Sequence, residues 1–164
     1  MNITVHDNLF IDDNLIAACR GLVRTTHTPR KLPEPVLRRG ESWHLQPQWF
    51  LRVAHDAQAG RYRAWYNVKN PGGSPLLAYA YAESADGVTW QHPELGLVEV
   101  NGSIRNNLLD APMGHFGLFL VDDGSEFVPP SRRYKMAYFV QNQGPERNGL
   151  TVAFSADGMH FQDY

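Results

Sequence analysis

From Trp49 onward, short apolar-rich runs alternate with breaks bearing Gly, Pro and Asp, and the two-residue period of strands prevails. Residues 49–55 predict a first strand, and 56–60 a short connection. Residues 61–68 predict a second strand, with Tyr62, Ala64 and Tyr66 on one face and Arg61, Arg63, Trp65 and Asn67 on the other. Neither face is purely polar, which predicts that both are covered. After a Pro- and Gly-rich turn at 70–75, residues 76–83 predict a third strand, and a fourth begins near Thr89. The order then returns: a strand at 116–121, a Pro-bearing loop at 122–132, and strands at 133–140 and 150–155. No segment predicts a helix, so the expected class is all-β.

The return is a repeat in the strict sense. Ser84-Ala85-Asp86-Gly87 recurs as Ser155-Ala156-Asp157-Gly158, 71 residues on, and the strand at 61–68 recurs at 133–140 with an offset of 72. A unit of this length, built from four antiparallel strands, predicts one blade of a β-propeller. Asp-Gly between the third and fourth strands predicts a type I′ hairpin, with positive φ at both residues. The expected organisation is a leader over 1–45, blade one over 46–95, and a connection with an incomplete blade two over 96–164. The leader's Pro-rich stretch, 25–35, predicts an extended path. Propellers close with four to eight blades. The reading therefore expects the N-terminal part of a longer chain, whose remaining blades would be partners of these two. A closed β-sandwich with an internal duplication is the competing architecture.

Charge and cysteine content narrow the function classes. A net charge of −2 without a basic run gives no nucleic-acid surface, and the lone Cys19 gives neither a disulfide nor a thiolate zinc site. No apolar run reaches the ~18 residues of a membrane span. The opening residues lack a signal-peptide pattern, so the default expectation is cytoplasmic. No His/Asp spacing suggests a metal, and no cofactor is expected.

Three stretches carry a family resemblance: Arg61-Tyr62-Arg63-Ala64-Trp65-Tyr66, the run from Ala80 through Trp90 to Pro93, and Gly102-Ser103-Ile104-Arg105-Asn106-Asn107. Together they resemble the five-bladed propellers of the invertase, levansucrase and arabinanase type, nearest their uncharacterised glycosyl hydrolase-like bacterial branch. The resemblance implies a carbohydrate partner, an oligo- or polysaccharide, handled by carboxylates lining a central funnel. Glycoside cleavage needs two such carboxylates flanking the scissile bond. Funnel residues come from the loops leading into each inner strand, here 40–48 and 106–115. The candidate catalytic residues are Asp110 and Glu41, and the candidate substrate-binding residues are Trp43, His44, Asn107 and His115. Two departures matter. The Asn-Asp-Pro-Asn-Gly signature of invertases is absent, and the family's general acid belongs to a third blade. The expectation is thus a glycoside hydrolase-like enzyme at full length, inactive as this stretch alone. A non-catalytic carbohydrate-binding or interaction propeller is the alternative.

Overall fold

A computed structural model describes residues 13, 16–37, 47–69, 77–126, 129–140 and 148–164 of the chain. The predicted turn at 70–75 and most of the leader before Ile16 lie outside the described residues. Two compact units form, Met1–Pro33 and Glu34–Tyr164. Among its described residues the first has no helix or strand, and its Arg24 pairs with Asp13.

Among its described residues the second unit contains eight strands: β1 (Pro47–Asp56), β2 (Arg61–Lys69), β3 (Leu77–Ser84), β4 (Trp90–Gln91), β5 (Phe116–Asp122), β6 (Tyr134–Val140), β7 (Gly149–Ser155) and β8 (Gln162–Asp163). They form two four-stranded antiparallel sheets, ordered β1-β2-β3-β4 and β5-β6-β7-β8. Each sheet is a meander of consecutive strands, and none crosses to the other sheet as a Greek-key sandwich would require. The protein is all-β, and its two sheets are blades of a partial β-propeller. Matching positions close both sheets: Tyr62 pairs with Ser84 in blade one, and Tyr134 with Ser155 in blade two.

The double coverage expected of β2 is met, because Ala64 through Val68 are all buried. Trp65, Tyr79 and Tyr81 face blade two, where they meet Leu118, Leu120, Tyr134, Met136 and Tyr138. Ala64, Tyr66, Val68, Ala78, Ala80 and Ala82 face the other way, under Val98, Val100 and Met113. That cover comes from an interruption of the outer strand. After β4 the chain leaves the sheet and reverses at Asn101-Gly102, with φ of 51° and 78°. It then returns beside β3, where the Tyr81 N–H donates to the Asn107 carbonyl and the Leu109 N–H to the Tyr79 carbonyl. The outer edge of blade one is therefore built from two pieces.

The Asp-Gly hairpins differ from expectation. β3 ends at Ser84 and β4 begins at Trp90, so five residues make the link. Gly87 has φ of 73°, whereas among the described non-glycine residues only Asn101 has positive φ. The link is thus not a type I′ turn, because side chains impose its shape instead. Ser84 Oγ accepts from the Gly87 N–H at 2.9 Å, and Asp86 Oδ1 accepts from Val88 and Thr89 at 2.8 and 2.7 Å. Blade two repeats the set: Ser155 Oγ accepts from Gly158 at 2.9 Å, and Asp157 Oδ1 from Met159 and His160 at 2.8 and 3.0 Å. The type I′ geometry occurs at Asn101-Gly102, between the bridged residues Val100 and Ser103.

These bonds make the hairpins acid-sensitive. The Thr89 N–H, then that of Val88, holds the Asp86 carboxyl down at about 2. Burial works against the Asp157 charge, yet the His160 and Met159 N–H groups outweigh it and hold that carboxyl at about 2 as well. A carboxyl lowered on folding stabilises the fold above its unfolded value, near 3.9, and loses that contribution as pH falls. The urea midpoint should therefore drop between about pH 4 and 2. Substituting Asp86→Asn together with Asp157→Asn should flatten that part of the profile.

Candidate functional site

β1 and β5 open the two sheets, and ring contacts set their beginnings side by side. Phe50 meets Phe116 edge-on at 6.4 Å between centroids and Phe119 at 6.3 Å. The starts of the two strands therefore share one rim. Each strand breaks register there, between Pro47 and Leu51 and between Phe116 and Phe119. Such bulges bend a strand and re-aim its side chains. Gly117 supplies the φ of 90° that the second break requires.

Polar groups gather behind this aromatic wall. His115, the residue before β5, stacks on Tyr138 with centroids 5.1 Å apart and planes at 20°. Its Nδ1 is buried and has no hydrogen-bond partner among the described residues. The Tyr138 hydroxyl donates to the Asp163 carboxylate. Burial first, and that carboxylate second, push the phenol well above its ordinary value, so it remains a neutral donor. The Tyr79 hydroxyl donates to the Gly117 carbonyl at 3.1 Å, and burial raises its pKa too. The buried Asn67 amide beside that hydroxyl acts the other way, toward a lower value, although neither of its polar atoms makes a hydrogen bond of ordinary geometry among the described residues. A rim with an aromatic wall, an imidazole and a buried amide suits a neutral polar ligand with apolar faces.

Glu41, Trp43 and His44 lie outside the described residues. Of the other predicted site residues, His115 stands on the rim. Asn107 is fully buried, and its Nδ2 donates to the Tyr66 hydroxyl at 2.9 Å and the Tyr81 carbonyl at 2.6 Å. It ties the interrupted outer strand to blade one. Asp110 is exposed, and its carbonyl accepts from the Phe161 N–H at 2.7 Å. It sits where the outer edge of blade one bridges to His160 of blade two. Three strand spacings separate that edge from β1, about 14 Å. Asp110 thus lies on the outer edge of blade one, and His115 just before the first strand of blade two. Tyr138 and Asn67 join the rim without being singled out in the sequence. Both lie on strands with alternating apolar residues, and only the packing of one blade on the other marks them.

Other features are less suited to a ligand. A cleft of 460 Å³ lies at the first hairpin, lined by Arg61, Glu83, Asp86 and Thr89. It has no aromatic wall, and Arg61 is already paired with Glu83 at 3.0 Å. Among the described residues no three His, Cys, Asp or Glu side chains gather to hold a metal. No helix among them is long and apolar enough to cross a membrane.

The fold and rim define a class, a partial β-propeller with two blades and a shared inner rim. No family model matches the chain, and no curated protein matches it. Solved structures similar to it include a fructofuranosidase from Schwanniomyces occidentalis complexed with fructosylnystose, at 24% identity and a TM-score of 0.45. That likeness covers 68% of this chain and 22% of that one. A beta-fructofuranosidase from the same organism, complexed with fructosyl-erythritol, is 20% identical with a TM-score of 0.44, over 75% and 26% of the two chains. An N-acetylgalactosamine deacetylase from F. plautii, in complex with blood group B trisaccharide, is 15% identical with a TM-score of 0.39, over 68% and 28%. The chain spans 22–28% of the length of these structures.

Proposed function

We propose that this chain contributes two blades to a glycosyl hydrolase-like propeller that holds an oligosaccharide at the rim where β1 and β5 begin. The observation carrying this reading is the contact of Phe50 with Phe116 and Phe119, which brings the two inner strands together at their starts. The loops 40–48 and 106–115 precede these strands in the chain, and the reading assigns Trp43, His44 and His115 to them as sugar-binding residues. Apolar sugar faces would rest on the aromatic wall, and hydroxyls would bond to His115 and to groups of the first segment. In the hydrolase form of the reading, Glu41 and Asp110 form the carboxylate pair. The outer-edge position of Asp110 favours the binding form instead. Glu41 then serves as a sugar-hydroxyl acceptor.

Titration of the chain with a fructo-oligosaccharide and an arabino-oligosaccharide, followed by tryptophan fluorescence and NMR, tests this. Saturable binding of at least one is expected. His115→Ala should weaken it about tenfold, equivalent to about 1.4 kcal/mol. Release of monosaccharide that Asp110→Asn abolishes would restore the hydrolase form. Absence of binding to any oligosaccharide at millimolar concentration would remove the reading.

A further inference from the structure

We infer that Asn101 is a modification site, where the folded chain deamidates without an enzyme and the cover of blade one is then loosened. The reaction needs an asparagine whose following backbone nitrogen is free to attack the side-chain amide. Glycine in the following position favours it, because no Cβ obstructs the approach. Two asparagines of the chain precede a glycine, Asn101 and Asn148, and three aspartates do, Asp86, Asp123 and Asp157.

The fold treats these five glycines differently. The Gly87 N–H donates to Ser84 Oγ, the Gly158 N–H to Ser155 Oγ and the Gly124 N–H to Asp122 Oδ1, each at 2.9 Å. Gly149 opens β7 and is in register with Val140. Attack from any of these positions must first break a bond or a ladder. Asn101 and Gly102 are both exposed, and the Gly102 N–H donates to no acceptor among the described residues. Their turn is also weakly closed. The Val100 N–H donates to the Ser103 carbonyl at 2.9 Å, and the Ser103 N–H to the Val100 carbonyl at 3.0 Å. An exposed hairpin held by one bridged pair opens locally while the sheets stay folded. Opening frees Asn101 from its φ of 51° and lets its Cγ meet the Gly102 nitrogen.

In the first step the Gly102 nitrogen bonds to Asn101 Cγ, and the bond from Cγ to Nδ2 breaks. The amide leaves as ammonia, carrying the proton that the Gly102 nitrogen gives up. Water then opens the five-membered imide at either carbonyl. One opening leaves aspartate at position 101. The other routes the main chain through Cβ and Cγ, an isoaspartyl link one backbone atom longer. That extra atom has a consequence in this fold. Val98 and Val100, on one arm of the turn, lie over Ala64, Ala78, Ala80 and Ala82 of blade one. The type I′ turn sets that arm in register with the returning one. A longer turn shifts Val100 against Ser103, so the isoaspartyl form should uncover part of this alanine face. Aspartate adds a charge without lengthening the turn, and leaves the cover in place.

Ageing the intact chain for days in mildly alkaline buffer, followed by peptide mass mapping, tests this. A synthetic peptide of residues 98–105 in the same buffer gives the unrestrained rate. Asn101 should gain one mass unit within tenfold of that rate, and at least tenfold faster than Asn148. The isoaspartyl and aspartyl products separate by chromatography. Asn101→Asp should keep the urea midpoint of the parent, whereas the isoaspartyl fraction should melt earlier. Reaction more than a hundredfold slower than in the peptide, or Asn148 reacting first, would overturn the site. An isoaspartyl fraction as stable as Asn101→Asp would overturn its effect on blade one.

Discussion

Replacing Trp65 by alanine should cost about 3–5 kcal/mol, the range for removing a fully buried large aromatic. The indole is 0% exposed and wedged between the blades, with Tyr81 and Tyr134 each 5.8 Å away between ring centroids. Its N–H also reaches the Gly158 carbonyl, 93 residues on, at 2.7 Å. Blade one meets the equivalent need locally, since Trp90 Nε1 donates to the Gly87 carbonyl at 3.1 Å. Blade two has Phe161 where blade one has Trp90, and phenylalanine has no donor. Trp65 crosses between sheets to supply it. Trp65→Phe separates the two contributions, because it keeps most of the packing and removes the bond. A loss of about 1–3 kcal/mol is expected for that variant, the cost of a buried carbonyl left unsatisfied. Urea melts read by circular dichroism measure both. If Trp65→Phe equalled the parent, the inter-blade bond would contribute nothing to stability.

The neighbouring contacts show why this position is sensitive. Arg63, two residues before Trp65 on the same face, donates to the Tyr134 hydroxyl at 2.9 Å and pairs with Asp56 at 3.0 Å. Gln58 reaches Ser125 at 2.7 Å, again from blade one to blade two. Removing the indole would therefore loosen a shared surface, and the loss should spread to both sheets. A single cooperative transition, shifted as a whole, is the expected form of the melt.

Much of this fold was legible in the chain because its signals are local. The alternation in 61–68 announces a strand covered on both sides, and the recurrence of Ser-Ala-Asp-Gly announces a second sheet of the same kind. The hairpin position was legible too, although its geometry was not. Asp-Gly suggests a type I′ turn, but a serine two residues earlier offers its hydroxyl to the same backbone groups and prevails. The opposite happened at Asn101-Gly102, a strong turn dipeptide inside what reads as a connection. Its hairpin is the excursion that covers blade one. The candidate site was less legible for a physical reason. Asn107 reads as a polar loop residue, yet its amide is spent on Tyr66 and a backbone carbonyl, partners far from it in sequence. Tyr138 reads as a strand aromatic and becomes a rim residue through its stack with His115 and its bond to Asp163. Such roles depend on which blade lies over which, and no spacing encodes that.

Gly158→Ala should be costlier than Gly87→Ala, although the two glycines occupy the same place in their hairpins. Both have the left-handed backbone, with φ of 79° and 73°. A Cβ in that region costs about 1–2 kcal/mol, and both variants should lose at least this much. Their surroundings then part. A Cβ on Gly87 would find the Tyr62 ring at 3.6 Å, an ordinary contact. On Gly158 it would meet Trp65 and Tyr134, each at 3.2 Å, with both rings fully buried and unable to retreat. Overpacking of this kind adds about 1–3 kcal/mol. It also pushes on the indole whose N–H is bonded to the Gly158 carbonyl, so strain and bond loss arrive together. The expected ordering is Gly158→Ala well below Gly87→Ala, with Gly87→Ala below the parent. A Gly158→Ala, Trp65→Phe double variant tests the coupling. Two residues in contact should not add, and a total loss smaller than the sum would show that the methyl group acts through the indole. Strict additivity would place the cost of Gly158→Ala in its backbone alone.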